Sequence, residues 1–133
     1  MAEPKPNSEK SYQTIPGTYV FDGQACKDGF HLNMFCKSLD KQENRDRFRA
    51  DPAPYLNQFP MAPEQRKAIE DRDWLAMLQL GGNIYYTFKL CIFDGMTMQG
   101  VGGKMSGVTE EEFRNMMIEG GRSIEGNRYK AEV

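Results

Sequence analysis

Trp74-Leu-Ala-Met-Leu-Gln-Leu-Gly81-Gly82-Asn83-Ile-Tyr-Tyr-Thr-Phe-Lys-Leu-Cys91 is the stretch whose reading decides the fold. Gly81-Gly82 supplies the φ > 0 conformation that stops a helix, and Asn83 is a preferred N-cap. One helix therefore ends and another starts across this short turn. Trp74, Leu75 and Leu78 on the first arm, with Ile84, Tyr85, Phe88 and Leu90 or Cys91 on the second, recur at helical spacing. The expectation is a helical hairpin that carries the central core.

Upstream of this hairpin the pattern is also helical. Asp22 is placed to cap a helix, Gly29 to separate two helices, and Leu32, Phe35, Cys36 and Leu39 form an apolar stripe. The charged run Lys41-Gln-Glu-Asn-Arg-Asp-Arg-Phe-Arg49 reads as a solvated face with local ion pairs and Phe48 as its buried contact. Asp51-Pro52 starts a short helix through Tyr55, Leu56 and Phe59, with Asp as N-cap and Pro at the first helical position. Ala62-Pro63-Glu64 opens the next helix, and Asp73 caps the one that begins at Trp74.

Downstream, Asp94-Gly95 is a turn dipeptide. Between Gly95 and Gly103 lie four glycines among alternating side chains, which reads as an extended or irregular loop, the chain's most unusual segment. Thr109 and Glu112 then form a capping box, Val108 is set to staple to Phe113, and the helix runs through Met116, Met117 and Ile118 to stop at Gly120-Gly121. The fold class is thus all-α: a multihelical single domain with a glycine-rich irregular loop near residues 95–107. Residues 1–14, rich in Pro, Lys, Glu, Ser and Asn, read as a flexible arm; 15–124 as the helical domain; 125–133 as a charged tail.

Composition narrows the function. The 133 residues match one domain, and 39% hydrophobic with 27% charged residues is a soluble globular balance. No apolar run approaches the roughly 18 residues of a membrane span. A net charge of −2 leaves no footprint for nucleic acid or an anionic membrane. The N-terminus has Pro4 and Pro6 where a signal peptide needs an apolar stretch, so a cytoplasmic protein is expected. Cys26, Cys36 and Cys91 lack CxxC spacing and read as reduced core thiols. Nine methionines fit either an adaptable core or a surface that grips a partner or a flat ligand.

With His31 as the sole histidine, the chain cannot build a His-rich zinc site or a two-His-one-carboxylate iron site by itself. His31 beside the apolar stripe reads as structural, or else as a single ligand or base. No local sequence activates a nucleophile, and Gly100-x-Gly102-Gly103-Lys104 fails the phosphate-loop pattern because Met105 follows the lysine. Tyr85, Tyr86, Phe88, Phe93, Met96 and Met98 would suit an apolar wall against a planar ligand, or simple core packing.

In their order along the chain, Ile15-Pro-Gly-Thr18, Leu32-Asn33 with Phe35, Glu43-Asn-Arg45 with Arg47-Phe48, Ala50-Asp51, Gly81-Gly82-Asn83-Ile84-Tyr85, Asp94-Gly95, and Met116-Met117-Ile118 through Gly120-Gly121-Arg122-Ser123 carry a resemblance. The sequence resembles the small alpha subunits of the protocatechuate 4,5-dioxygenase type, among the class III extradiol ring-cleaving dioxygenases. The resemblance implies a multihelical, noncatalytic chain that interlocks with a larger beta chain, as two alpha and two beta chains. That beta subunit would hold non-haem Fe(II) through two His and a Glu, with another His as acid/base. O₂ and the catechol would meet at the iron, and the ring would open next to the two hydroxyls.

On this resemblance the alpha chain covers the substrate pocket, and Met98 is the residue that approaches the bound ring, flanked by Met96 and Thr97. Neither catalytic nor metal-ligating residues are expected in this chain. Relatives carry an aromatic residue at the Met98 position, and this departure leaves the substrate preference open: protocatechuate is favoured, with gallate or another substituted catechol as the alternative. A freestanding helical binding or assembly module of the same fold is the alternative.

Overall fold

The computed structural model describes residues 19–121. The expected arm at 1–14, the domain boundary at Ile15 and the tail at 125–133 lie outside the described residues, as does the end of the helical domain at 124. Within them run the helices α1 (Gly23–Asp28), α2 (Phe30–Ser38), α3 (Gln42–Ala50), α4 (Pro52–Leu56), α5 (Pro63–Asp71), α6 (Trp74–Gln79), α7 (Ile84–Phe93), α8 (Met98–Ser106) and α9 (Glu110–Ile118). The described part is all-helical. None of these helices is long and apolar enough to cross a membrane.

Local start signals act as the residue types demand. Asp22, Asp73, Asn83 and Thr109 each accept a backbone N–H of the following turn through the side chain, satisfying donors that a helix N-terminus leaves open. Pro52 opens α4 as expected, but Asp51 makes no side-chain cap there; its backbone turns into the helix at φ −152° and ψ 85°.

The core gathers Leu32, Phe35, Cys36 and Leu39 of the α2 segment, Phe48, Tyr55, Leu56, Ile69, Trp74, Met77, Leu90, Cys91 and Val101. Phe35 is its aromatic centre, meeting Phe48, Tyr55 and Phe59 edge-on at centroid distances of 5.0, 6.1 and 5.7 Å, the geometry that aromatic quadrupoles favour. The Tyr55 hydroxyl remains satisfied against Ser38 Oγ at 2.6 Å. Helix α2 packs on α7, α5 on α6, and α8 on α9.

Part of the charged α3 run is not a solvated face. Asn44 Nδ2 donates to Ser38 O at 2.9 Å, and Arg45 Nη1 donates to Leu39 O at 2.8 Å and Asp40 O at 2.9 Å. These side chains satisfy carbonyls that the end of α2 leaves without helical partners. The cysteines divide as well: Cys36 and Cys91 are buried, whereas Cys26 on the short α1 is exposed rather than a core thiol.

The largest departure from the expected fold lies at residues 95–107, where α8 replaces an irregular loop. Glycines in a helix interior each cost about 1 kcal/mol relative to alanine, which is why the segment reads as a loop in isolation. They are needed for closeness. A Cβ on Gly102 would stand 2.5 Å from the Phe113 ring of α9, and one on Gly103 would stand 2.8 Å from Val108 O. The glycines give α8 a flat side on which α9 and its leading turn lie.

Candidate functional site

The Gly81–Asn83 turn is the fixed point from which the site is built. Helix α6 ends with Gly81 at φ 97°, Gly82 N donating to Met77 O at 2.7 Å and Gly81 N to Leu78 O at 3.3 Å, the paired bonds of a Schellman stop. Buried Asn33 of α2 holds the same turn by both ends of its amide. Its Nδ2 donates to Gly81 O at 3.1 Å, and its Oδ1 accepts from Asn83 N at 2.9 Å. Buried Gln65 of α5 adds a second clamp, donating to Leu80 O at 2.9 Å and Asp28 O at 2.8 Å while its Oε1 accepts from Ala62 N.

From this turn α7 leaves in a fixed direction. Thr87, Leu90 and Cys91 form its buried face, while Ile84 and Tyr85, expected in the core, are 42% and 67% exposed. They sit on the first turn of α7, ahead of the buried positions. Lys89 ties the far side of α7 to the end of α2 through Asp40 at 2.6 Å. That contact holds the Asp40 carboxyl below its usual range, first through the Lys89 hydrogen bond.

At the other end of α7 the chain turns at Asp94-Gly95 and enters α8. Cys91 Sγ donates to Met96 O at 3.4 Å and to Thr97 O at 3.6 Å. Thr97 is the N-cap of α8: its Oγ1 accepts from Gly100 N at 2.9 Å and donates to Glu110 Oε1 at the start of α9. Met96 is half-buried and packs on the core. Met98, the first residue of α8, stands 56% exposed.

Helices α7, α8 and α9 enclose a groove of about 540 Å³, within the roughly 300–1,000 Å³ of small-molecule clefts. Its apolar wall comes from Ile84, Phe88, Met98, Met105, Phe113 and Met117, with Ile118, at 76% exposure, also lining it. Gln99 and Arg114 are its polar members. Of the three residues expected at the lid, Met98 lines the groove; Thr97 is committed to the α8 cap and Met96 to packing beneath it. Nothing in the sequence marked Phe113, Met117 and Ile118 for this wall. The available signal was the apolar face of α9, a helix that contributes no buried residue.

The groove offers shape and polarizable contact, not proton transfer. His31 lies away from it on α2, partly exposed and edge-on to Phe30 at 5.2 Å. Among the described residues, no three of His, Cys, Asp and Glu come together in a way that could hold a metal ion. The two-His-and-Glu donor set that the resemblance assigns to a beta subunit is not assembled by the described residues of this chain. Burial pushes the Cys36 thiol up to about 12 and also raises Cys91, the opposite of what an activated thiolate requires.

Two comparisons bear on this arrangement. The family model described as the LigA subunit of the aromatic-ring-opening dioxygenase LigAB matches residues 32–118, from α2 to the end of α9. A gallate dioxygenase of Pseudomonas putida is similar over 109 residues at 23% identity, covering 80% of this chain. The match covers 32% of that relative, so this chain spans about a third of its length.

Proposed function

Because the chain belongs to the family of LigA subunits of the aromatic-ring-opening dioxygenase LigAB, we propose that it is the noncatalytic alpha subunit of an extradiol dioxygenase that cleaves protocatechuate at the 4,5 position. On this reading it completes and covers a substrate pocket whose Fe(II) is held by a larger beta subunit, in an assembly of two alpha and two beta chains in the cytoplasm. The observation that carries the proposal is the exposed Met98 at the apolar groove, beyond the Asp94-Gly95 turn and inside the matched segment. A thioether there offers a polarizable, water-excluding contact to an aromatic face. Thr97 and Met96 contribute by fixing the backbone that presents it.

A second reading, gallate as the ring that is opened, is favoured by the similarity to a gallate dioxygenase. The longer relative also supports a partner chain, since a chain more than twice this length contains the similar segment. The experiment is co-expression with the larger histidine-bearing chain expected in the neighbouring reading frame, followed by oxygen uptake with protocatechuate and gallate. The complex is expected to consume oxygen and open the ring, and the isolated chain to do neither. Activity from the isolated chain would overturn the proposal, and a higher kcat/KM for gallate would select the second reading.

A further inference from the structure

Helices α5 to α9 end on the same backbone device. In each, a residue in the left-handed region donates three residues back, and its successor donates five residues back. At the ends of α6, α7, α8 and α9 the left-handed residue is Gly81, Gly95, Gly107 and Gly120. At the end of α5 it is Arg72, at φ 53°, the sole non-glycine with positive φ among the described residues. Asp73 N donates to Ala68 O at 2.9 Å and Arg72 N to Ile69 O at 3.2 Å, so the motif is intact with an arginine in the slot that glycine takes elsewhere. A Cβ there is strained, and such strain persists where surrounding contacts over-determine the residue.

Those contacts lead to one place. Arg72 grips Asp94 in bidentate fashion, Nε to Oδ2 at 2.6 Å and Nη2 to Oδ1 at 3.1 Å, while Nη1 donates back to Ile69 O at 2.6 Å. Its guanidinium also lies 5.7 Å from the Phe48 ring centroid. Both charged side chains are largely covered, at 29% and 20% exposure, so the rigid fork sets geometry as well as charge. Asp94 caps the end of α7, and Gly95, Met96 and Thr97 alone separate it from Met98. On the far side, Thr97 is tied to Glu110.

We infer that Arg72 is a positioning residue for Met98: through Asp94 it fixes the corner between α7 and α8, and with it the place where Met98 meets the ring of a bound catechol. The inference rests on the functional reading above. Glycine is the informative substitution, because it is at ease in the left-handed slot and removes the clamp without adding strain.

In the co-expressed complex, Arg72→Gly is expected to raise KM for the preferred catechol about three- to tenfold, with kcat within about twofold. Asp94→Asn should give the same split, and the double variant should be no worse than the weaker single. In a Met98→Ala background, Arg72→Gly should add less than about twofold to KM. Arg72→Lys, which keeps the charge but loses the fork, should recover only part of the effect. Unchanged KM in Arg72→Gly, or a full additional effect in the Met98→Ala background, would overturn the inference.

Hydrogen exchange on the isolated full chain separates this inference from the functional reading. Arg72→Gly should speed exchange at the Met96 and Val101 amides and leave α2 amides unchanged. Unchanged exchange at the corner overturns the clamp even if the wild-type complex is active. Faster exchange there, beside a wild-type complex inactive on both catechols, would instead overturn the functional reading, and with it the part of the inference that concerns the bound catechol.

Discussion

Gly29 and Gly81 meet backbone to backbone: a Cβ on Gly29 would stand 1.9 Å from the Gly81 carbonyl oxygen. The junction of α1 and α2 thus rests directly on the turn that ends α6. Gly29→Ala is expected to destabilise the fold by about 3 kcal/mol or more, because backbone and not a flexible side-chain tip must move. Thermal or urea unfolding measures it. A loss below about 1 kcal/mol would mean that this contact is looser than described.

Asn33→Asp removes the donor to Gly81 O and places a carboxylate beside that carbonyl in a buried site. A buried polar group left without its partner costs about 1–3 kcal/mol, and more when charged. A protonated aspartate regains one donor and keeps an acceptor. Burial and the carbonyl both raise the folded carboxyl pKa in this variant. Its stability deficit should therefore be largest at neutral pH and shrink as pH falls toward the unfolded carboxyl range near about 4. A deficit that is constant between pH 7 and 4, relative to wild type, would contradict the clamp.

Met98→Ala is expected to change folding free energy by no more than about 0.5 kcal/mol, because the side chain is more exposed than buried. In the complex with the larger chain it should alter KM or the preference between catechols more than it alters stability. Equal kinetics on protocatechuate and gallate across wild type and variant would remove Met98 from the ligand surface.

Gly102→Ala places a methyl group 2.5 Å from the Phe113 ring. Overpacking of this kind costs about 1–3 kcal/mol. Phe113→Ala in the same chain should recover part of it, since the ring is the obstacle. Additive losses in the double variant, read by urea unfolding, would show that the glycine serves some other purpose.

The thiols should separate by reagent access. Cys26 is expected to react with a thiol reagent at neutral pH in the native state, while Cys36 and Cys91 wait for unfolding. Burial raises the folded Cys36 pKa from 9.0 to about 12. The group contributes its stability fully below the unfolded value of 9.0 and loses it as pH climbs toward about 12. Loss of stability over that window should be smaller in Cys36→Ala than in wild type.

Helix ends were legible because their causes are local. Asp22, Asp73, Asn83, Thr109 and the glycine stops act within a few residues of themselves, and the apolar stripe of α2 is a property of its own turn. Helix α8 was hidden because the partner that justifies its glycines, Phe113, comes later in the chain, and the local cost of glycine argues for a loop. The amides of Asn33 and Gln65 were hidden for the same reason: each binds a turn far away in sequence. At the candidate site, Met98 follows from a family resemblance, whereas the groove around it is a product of three packed helices.

Helix α9 has no buried residue, and it is held to α8 by a ring on a flat glycine side and by Glu110 reaching Thr97. Free energy is therefore distributed unevenly across the molecule. Opening of α9 exposes no buried residue of its own and leaves Phe35 and its aromatic neighbours untouched, so it is a sub-global event below complete unfolding in cost. A wall of the groove is thereby more easily lifted than the aromatic centre around Phe35. Any molecule that settles there would stiffen α9 and raise its exchange protection, while leaving the centre of the protein unaware of its arrival.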